Sequence, residues 1–287
     1  MGIRSDMKSW KEFAACSSRG AGGAQVGGQF LALISALLKQ EPVERRNSLS
    51  LDPDAYRVGT SNASVRDAWV AKVLAELPHG ARLLDAGAGE CQYKKLCGHL
   101  RYVSQDLAAY TGHGSPIGLQ QAKWDTSAVD IICDITAIPE PDASFDAILC
   151  TEVLEHLPEP APALRELARL LKPGGTLIVT APFCSLTHFA PYHFATGFNQ
   201  YFYSHHLGAL GFEITDMIEN GNFFEYMAQE VRRIDDMAER YCSDKPTRLE
   251  RYAIQIVLGM LERLSHRDRG SQEMLHFDYQ VRAVKVR

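Results

Sequence analysis

The sequence predicts an α/β fold built on a mostly parallel sheet. Short apolar runs of strand formers alternate with amphipathic helical stretches from about Ala63 onward, the pattern of parallel strands joined by right-handed crossovers. The first run, Leu83-Leu84-Asp85-Ala86, passes straight into a turn holding two glycines, Gly87-Ala88-Gly89. Three successive runs end in an aspartate, at Asp85, Asp106 and Asp134. In a parallel sheet such ends share one edge, where open α/β sheets bind ligands.

The elements follow in order. Residues 1–60 read as a peripheral arm: Ala14 to Gly28 is small and Gly-rich, and Phe30, Ile34, Leu37 and Leu38 share one helical face. Residues 61–287 read as one domain. A helix through Val70, Val73 and Leu74 ends before Pro78-His79-Gly80. The first strand and its turn come next, and a helix over Glu90–Leu100 is expected to aim its free N–H groups at that turn. Tyr102–Gln105 is the second strand, ending at Asp106. A loop over Thr111–Asp125 stands in place of a second crossover helix. Val129–Cys133 is the third strand and Phe145–Cys150 the fourth. Leu164, Leu167, Ala168 and Leu171 mark an amphipathic helix with Pro160 in its first turn. Lys172-Pro173-Gly174-Gly175 stops it before a fifth strand, Thr176–Ala181.

The C-terminal third has a different rhythm. Phe212–Ile218 is a sixth strand, and Phe277–Val286 closes the chain as the last. Between them lies a helical insertion, 223–265. Phe224, Met227, Val231, Ile234, Ala238 and Tyr241 form one stripe of a long helix, and Leu249–Leu264 is apolar around much of its circumference. Such a helix is buried or sits at an interface, so these helices are candidates for a homodimer surface or a cap on the sheet's edge.

Bulk composition narrows the function classes. The 287 residues are 46% hydrophobic and 23% charged, ordinary for a soluble globular chain. A formal charge of −5 argues against a nucleic-acid surface. Seven cysteines, an odd number without a Cys-x-x-Cys pair, indicate a reducing cytoplasmic setting. The apolar segment Phe30–Leu38 is too short to span a bilayer, so no membrane partner is expected.

The glycine turn departs from the dinucleotide fingerprint Gly-x-Gly-x-x-Gly, because its sixth position is Gln92. An Asp two residues before the first Gly suits S-adenosylmethionine better. The spaced set Leu83–Gly89, Asp106, Asp134-Ile135, Ser144–Ile148, Glu152–Leu157 and Leu170–Gly175 resembles the class I S-adenosylmethionine-dependent methyltransferases, in the small-molecule branch with a Glu-Val-Leu-Glu-His block. The resemblance implies a three-layer Rossmann-like sandwich, with a seven-stranded sheet of order 3-2-1-4-5-7-6 and an antiparallel last strand. It implies that Asp85, Gly87, Ala88 and Gly89 hold the methionine moiety and Asp106 the ribose. Asp134 and Ile135 would hold the adenine, and Thr151-Glu152 would close over the cofactor. Many relatives have a third Gly where this chain has Cys91.

Methyl transfer asks mainly for alignment and a deprotonated acceptor. Candidate bases are His188 and His193, in the loop beyond the fifth strand, which titrate near neutrality. Around them Phe189, Tyr192, Phe194, Phe198, Tyr201 and Phe202 either hold a substrate, with Tyr192 and Phe194 foremost, or form the loop's own core. Trp124 either stacks on adenine or fills core. Glu152, Glu155 and His156 fall on one face of a helical turn, as a divalent-metal set completed by His188 or His193, or as a structural pair. Asn220-Gly221-Asn222 reads as a tight turn, with Asn220 within reach of substrate. The expected activity is O-methylation of a small molecule, sugar-derived among the options. N- or C-methylation, a nicotinamide oxidoreductase and a non-catalytic binding module are the alternatives.

Overall fold

The structure, a computed structural model, describes residues 55–110, 118–119 and 124–286. The Gly-rich stretch and short helix expected before residue 55, and most of the Thr111–Asp125 loop, lie outside the described residues.

Seven strands form one sheet: β1 (Arg82–Ala86), β2 (Arg101–Asp106), β3 (Ile131–Ile132), β4 (Phe145–Thr151), β5 (Leu171–Pro182), β6 (Phe212–Glu219) and β7 (Asp278–Lys285). Their order is β3-β2-β1-β4-β5-β7-β6, the order implied by the family resemblance. β7 runs antiparallel to both β5 and β6, and the remaining pairs are parallel. The α-helices among the described residues are α1 (Asn62–Ala75), α2 (Pro160–Leu170), α3 (Gln200–Ala209), α4 (Phe223–Arg232), α5 (Ile234–Cys242) and α6 (Arg248–Ser265), with short 3-10 turns at Lys94–Leu96, Leu154–His156 and Ser271–Glu273.

Strand alternation divides the core. Leu84, Ile148, Val179 and Ala283 face Leu164 and Leu167 of α2 and Tyr203 and Leu207 of α3. Leu83, Ala147, Leu149 and Ile178 face Val70, Val73 and Leu74 of α1. Each such Leu or Ile removed from water contributes about 1.5–3 kcal/mol. A third cluster joins Val58 to Ala228 of α4 and Leu258 and Leu261 of α6. The outer side of α6 leaves Leu249, Ile256 and Met260 exposed, and the expectation of a homodimer falls on that stripe. Among the described residues no helix is long and apolar enough to cross a membrane.

Five local expectations are corrected. No α-helix covers Glu90–Leu100. Bonds of the i→i+3 kind replace it (Cys91 N to Ala88 O, Lys94 N to Cys91 O), with a single tight turn at Lys94–Leu96. Cys91 adopts φ +56°, outside the helical region, so an α-helix cannot pass through it. The third strand shrinks to Ile131–Ile132. The first helix after β4 ends at Leu170, and Leu171 already pairs with Phe145, so Lys172–Gly175 is an irregularity inside a longer β5. The single long helix is two, α4 and α5, meeting at Arg233. The helix expected to be apolar all round carries Gln255 buried and Ile256 exposed, so its faces are divided by packing and not by polarity.

Candidate active site

The parallel strand tips open into one cavity of about 870 Å³. Gly87, Ala88, Gly89, Asp106, Asp134, Ile135, Thr151 and Glu152 line it, and so do His156, His188, Tyr192 and Phe194. Four expected site residues are not at its wall: Asp85, Glu155, Asn220 and His193.

The turn after β1 spends its amides internally. Gly87 N and Ala88 N donate to the Gln105 carbonyl at 2.8 and 2.9 Å, and Gly89 N donates to Asp106 Oδ2 at 2.9 Å. With no helix behind it and its amides committed, the turn is not an anion cradle, which disfavours a pyrophosphate ligand. Its glycines are required by packing. Gly87 adopts φ +75°, and a Cβ there would sit 2.4 Å from Val153 Cγ2. At Gly89, with φ +51°, a Cβ would meet the Trp124 ring at 2.5 Å. Trp124 is thus part of the cavity wall, edge-on to Phe189 at 5.1 Å, and Tyr110 lies 4.5 Å from the same phenyl ring.

Asp85 is buried beneath this turn and accepts a hydrogen bond from Tyr102 Oη at 2.6 Å. Burial pushes its carboxyl up to about 7, the Tyr102 hydroxyl opposes that, and the Asp106 charge adds to it. An expectation that it grips ligand directly is corrected to a place behind the wall. Asp106 does reach the cavity, its oxygens receiving Gly89 N and Ala108 N, each with a further lone pair to offer. Asp134 accepts from Thr136 N at 2.8 Å and Thr136 Oγ1 at 2.7 Å, and these bonds hold its carboxyl below the usual range.

Glu152 stands at the tip of β4 with φ +53°. One carboxylate oxygen accepts from Thr180 Oγ1 at 2.9 Å, and the other meets Arg66 Nη1 at 3.0 Å. Sequence reasoning missed Arg66. It stands one turn into α1, where an Arg on a helix looks like any solvated charge, and only the fold turns it into the cavity. Among the described lining residues it is the one permanent cation.

At the other end of the cavity His156 and His188 of the wall converge on Glu155 behind it, their ligating atoms all within 4.8 Å of one another. Glu152 is not in this group, being held by Arg66 and Thr180, which corrects the expected metal set. Glu155 is fully buried, and neither carboxylate oxygen has a hydrogen-bond partner. His156 Nε2 and His188 Nε2 stand 3.6 and 3.8 Å from Glu155 Oε1, charge contacts too long for hydrogen bonds. His156 Nδ1 meets the Tyr192 carbonyl, and His188 Nδ1 meets the Leu186 carbonyl at 2.8 Å. A carbonyl can only accept, so in the neutral rings the proton sits on Nδ1 and both Nε2 lone pairs face Glu155.

Burial pushes the Glu155 carboxyl up to about 7. Burial also lowers His156 to about 4, so that ring is neutral. For His188 burial works against the charged ring, but Glu155 and the Leu186 carbonyl outweigh it and its pKa rises. His193 bonds Ser185 Oγ at 3.2 Å, and burial with the His188 charge lowers its pKa. Phe194 N and Ala195 N donate to the Glu155 carbonyl, which ties the loop to the β4 tip. Asn220 is turned away from the cavity: it is buried and donates to Asn62 and Asp278.

Residues 84–179 match the family model of a methyltransferase domain. A ubiquinone biosynthesis O-methyltransferase of Xanthomonas oryzae pv. oryzae is 36% identical over 104 residues, 35% of this chain and 43% of the relative. One of Xanthomonas campestris pv. campestris is 33% identical over 144 residues, 49% of this chain and 52% of the relative. The chain thus spans about half the length, or less, of these curated relatives. Among solved structures, the [4+2]-cyclase SpnF aligns at TM-score 0.48 and 22% identity over 93% of this chain and 97% of that one. A SAM dependent methyltransferase from Archaeoglobus fulgidus aligns at TM-score 0.48 and 15% identity over 78% and 95%. The matched segment begins in β1 and ends in β5, so it contains the glycine turn and all three aspartate-tipped strands. That match and the observed sheet order support a methyltransferase domain of the class I S-adenosylmethionine-dependent kind over residues 84–179.

Proposed function

We propose that this protein transfers the methyl group of S-adenosylmethionine to a hydroxyl of a small molecule. The observation that carries the reading is one cavity with two unlike ends. Aspartates and a glycine turn lie at the strand tips, and at the other end the His156 and His188 rings line the wall with the unsatisfied Glu155 carboxylate buried behind them. In this reading Asp106 takes the ribose hydroxyls, Asp134 and Ile135 the adenine, and Arg66 the donor's carboxylate. Arg66 suits that role because it stands between the β4 tip at Glu152 and the segment after the glycine turn at Tyr93. The curated relatives are named as O-methyltransferases, which supports oxygen as the acceptor atom.

The acceptor oxygen attacks the sulfonium methyl, a C–O bond forms as the C–S bond breaks, and the electron pair returns to sulfur. In this reading His188, whose ring lines the cavity, takes the hydroxyl proton on Nε2, and Glu155, 3.8 Å from that nitrogen, stabilises the imidazolium. Tyr192 and Phe194 border the acceptor's entry. His193, off the wall, supports His188 rather than meeting substrate.

Glu155, His156 and His188 also fit a divalent cation. Two imidazole lone pairs aimed at an unpartnered buried carboxylate are mutually repulsive until a proton or a cation lies between them. Such a cation would supply charge that favours the deprotonated acceptor hydroxyl.

The test is titration calorimetry with S-adenosylhomocysteine and NAD, alongside transfer of a labelled methyl group to hydroxyl-bearing metabolites. Binding of the adenosyl ligand alone is expected. His188→Gln is expected to lower turnover about 10²–10⁴-fold with donor affinity unchanged. Binding of NAD but not of the adenosyl ligand overturns the function, and full turnover in His188→Gln overturns the base.

A further inference from the structure

We infer that Gln105, near the end of β2, is a positioning residue for the donor: its side-chain amide fixes the peptide between Cys133 and Asp134 and so sets how strongly the cavity selects adenine. This rests on the reading that Asp134 and Ile135 take the adenine.

A parallel strand with both neighbours ordinarily carries an apolar residue at a buried position. Gln105 is 1% exposed, its strand pairs with β1 on one side and β3 on the other, and it lines the cavity. Its side chain spans the same three strands. Nε2 donates to the Cys133 carbonyl at 2.7 Å, and Oε1 accepts from Gly87 N at 3.3 Å. Only one orientation of the amide satisfies both, because Gly87 N can only donate and a carbonyl can only accept. The Gly87 bond is the lesser one, since the same N–H donates to Gln105 O at 2.8 Å. The Cys133 bond replaces a missing ladder bond. Cys133 N donates to Asp106 O at 3.1 Å, so the next bond of a parallel ladder would bring Ala108 N to Cys133 O. Ala108 instead adopts φ +55° and gives its N–H to Asp106 Oδ1 at 2.8 Å. The Gln105 amide takes the place that the backbone leaves.

That place decides how Asp134 leaves the sheet. The peptide joining Cys133 to Asp134 is planar, so holding its carbonyl fixes the plane from which the Asp134 backbone departs. β3 is an edge strand of two residues and has β2 as its one neighbour, so little else aligns its tip. From the other side Thr136 N and Oγ1 hold the Asp134 carboxylate. The segment around β3 is docked independently of Gln105. Ahead of it Asp130 Oδ2 accepts from Ser104 N at 2.9 Å and Ser104 Oγ at 2.8 Å, and beyond it Ile138 N donates to Glu166 Oε1 at 2.8 Å. A Leu of similar volume at position 105 would fill the same space and lack only the donor aimed at Cys133. Such a variant is therefore expected to keep β3 paired while freeing the tip that carries Asp134.

The test compares two ligands by titration calorimetry: S-adenosylhomocysteine, and S-inosylhomocysteine, which carries an oxo group where adenine has its amino group. The wild type is expected to prefer the first by about tenfold, the worth of one charge-assisted hydrogen bond from the amino group to Asp134. In Gln105→Leu the preference is expected to fall to within about twofold, through weaker binding of the adenosyl ligand. Gln105→Glu keeps the acceptor toward Gly87 but, ionised, offers no donor to Cys133; the same fall is expected, and it stands in should Gln105→Leu fold poorly. In an Asp134→Ala background either substitution is expected to leave the preference where Asp134→Ala alone puts it. A wild-type preference in the Gln105 variants, even with both ligands equally weakened, would mean a structural role and overturn the inference. If Asp134→Ala abolishes the preference and neither Gln105 variant does, the inference fails alone. If the wild type shows no preference, or Asp134→Ala retains it, the adenine reading falls and the inference with it.

Discussion

Glu155 brings two bare carboxylate oxygens into a site where both neighbouring imidazoles present lone pairs. In the folded chain that arrangement is relieved by protonation, which is why burial raises its pKa to about 7, or by a cation. The two outcomes separate experimentally. If a cation is held, Mn²⁺ titration followed by electron paramagnetic resonance is expected to give one bound ion per chain, lost at least tenfold in affinity in Glu155→Gln. No bound Mn²⁺ in the wild type would remove the cation and leave Glu155 as the partner of protonated His188. Much of this residue scale was legible in advance. Asp106, Asp134 and the glycine turn announce themselves because their spacing relative to strand ends is set along the chain. Arg66 did not, since its meaning comes from which way α1 faces. Glu152 was assigned to the metal set on helical spacing alone. Its φ of +53° breaks that helical geometry and sends its carboxylate to Arg66 and Thr180.

Elements follow the same division. Strands β1 and β4 were legible as apolar runs, and β7 by its alternation of apolar and polar residues. The helix expected after Gly89 was not formed, because nothing along the chain marks Cys91 as left-handed. Arg233 divides α4 from α5 although the apolar stripe runs through both. The strap before α1, residues 56–60, seats on both α4 and α6. Gly59 adopts φ +77°, and a Cβ there would lie 2.4 Å from the Gln229 backbone nitrogen. Gly59→Ala therefore has no relaxed place and must lift the strap off α4. It is expected to lower unfolding free energy by on the order of 2 kcal/mol in denaturant titration. An unchanged midpoint would show that the strap is not seated as described.

For the whole molecule, three buried acids set a pH dependence. Burial raises Asp85 and Glu155 to about 7 and Asp278 to about 8, with the Glu152 charge adding to Asp278. Each keeps its proton in the folded chain over a range where the unfolded chain has lost it. The folded state then binds more protons, and stability falls as pH rises through that range. His156, at about 4, and the lowered His193, His206 and His276 act in the opposite sense, but only below the ordinary histidine value of 6.5. Above it the acids dominate, and the raised His188 reinforces them. In chelator, stability at about pH 8.5 is expected to be lower than at about pH 6.5 by on the order of 2 kcal/mol, read as a lower melting temperature. A melting temperature that is flat or higher at the alkaline end would contradict the burial of these acids.

The sequence by itself determined the sheet, its acid-tipped edge and the class of methyl donor, because strand alternation and the turn after β1 are written in consecutive residues. Tertiary structure alone decided that Arg66 faces the cavity, that Asp85 lies behind it, and that Asn220 joins the hairpin to α1 instead of reaching substrate. Those assignments depend on contacts between residues as far apart as 158 positions in the chain. Local spacing constrains which way a side chain leaves its own element, but only packing fixes what it meets there.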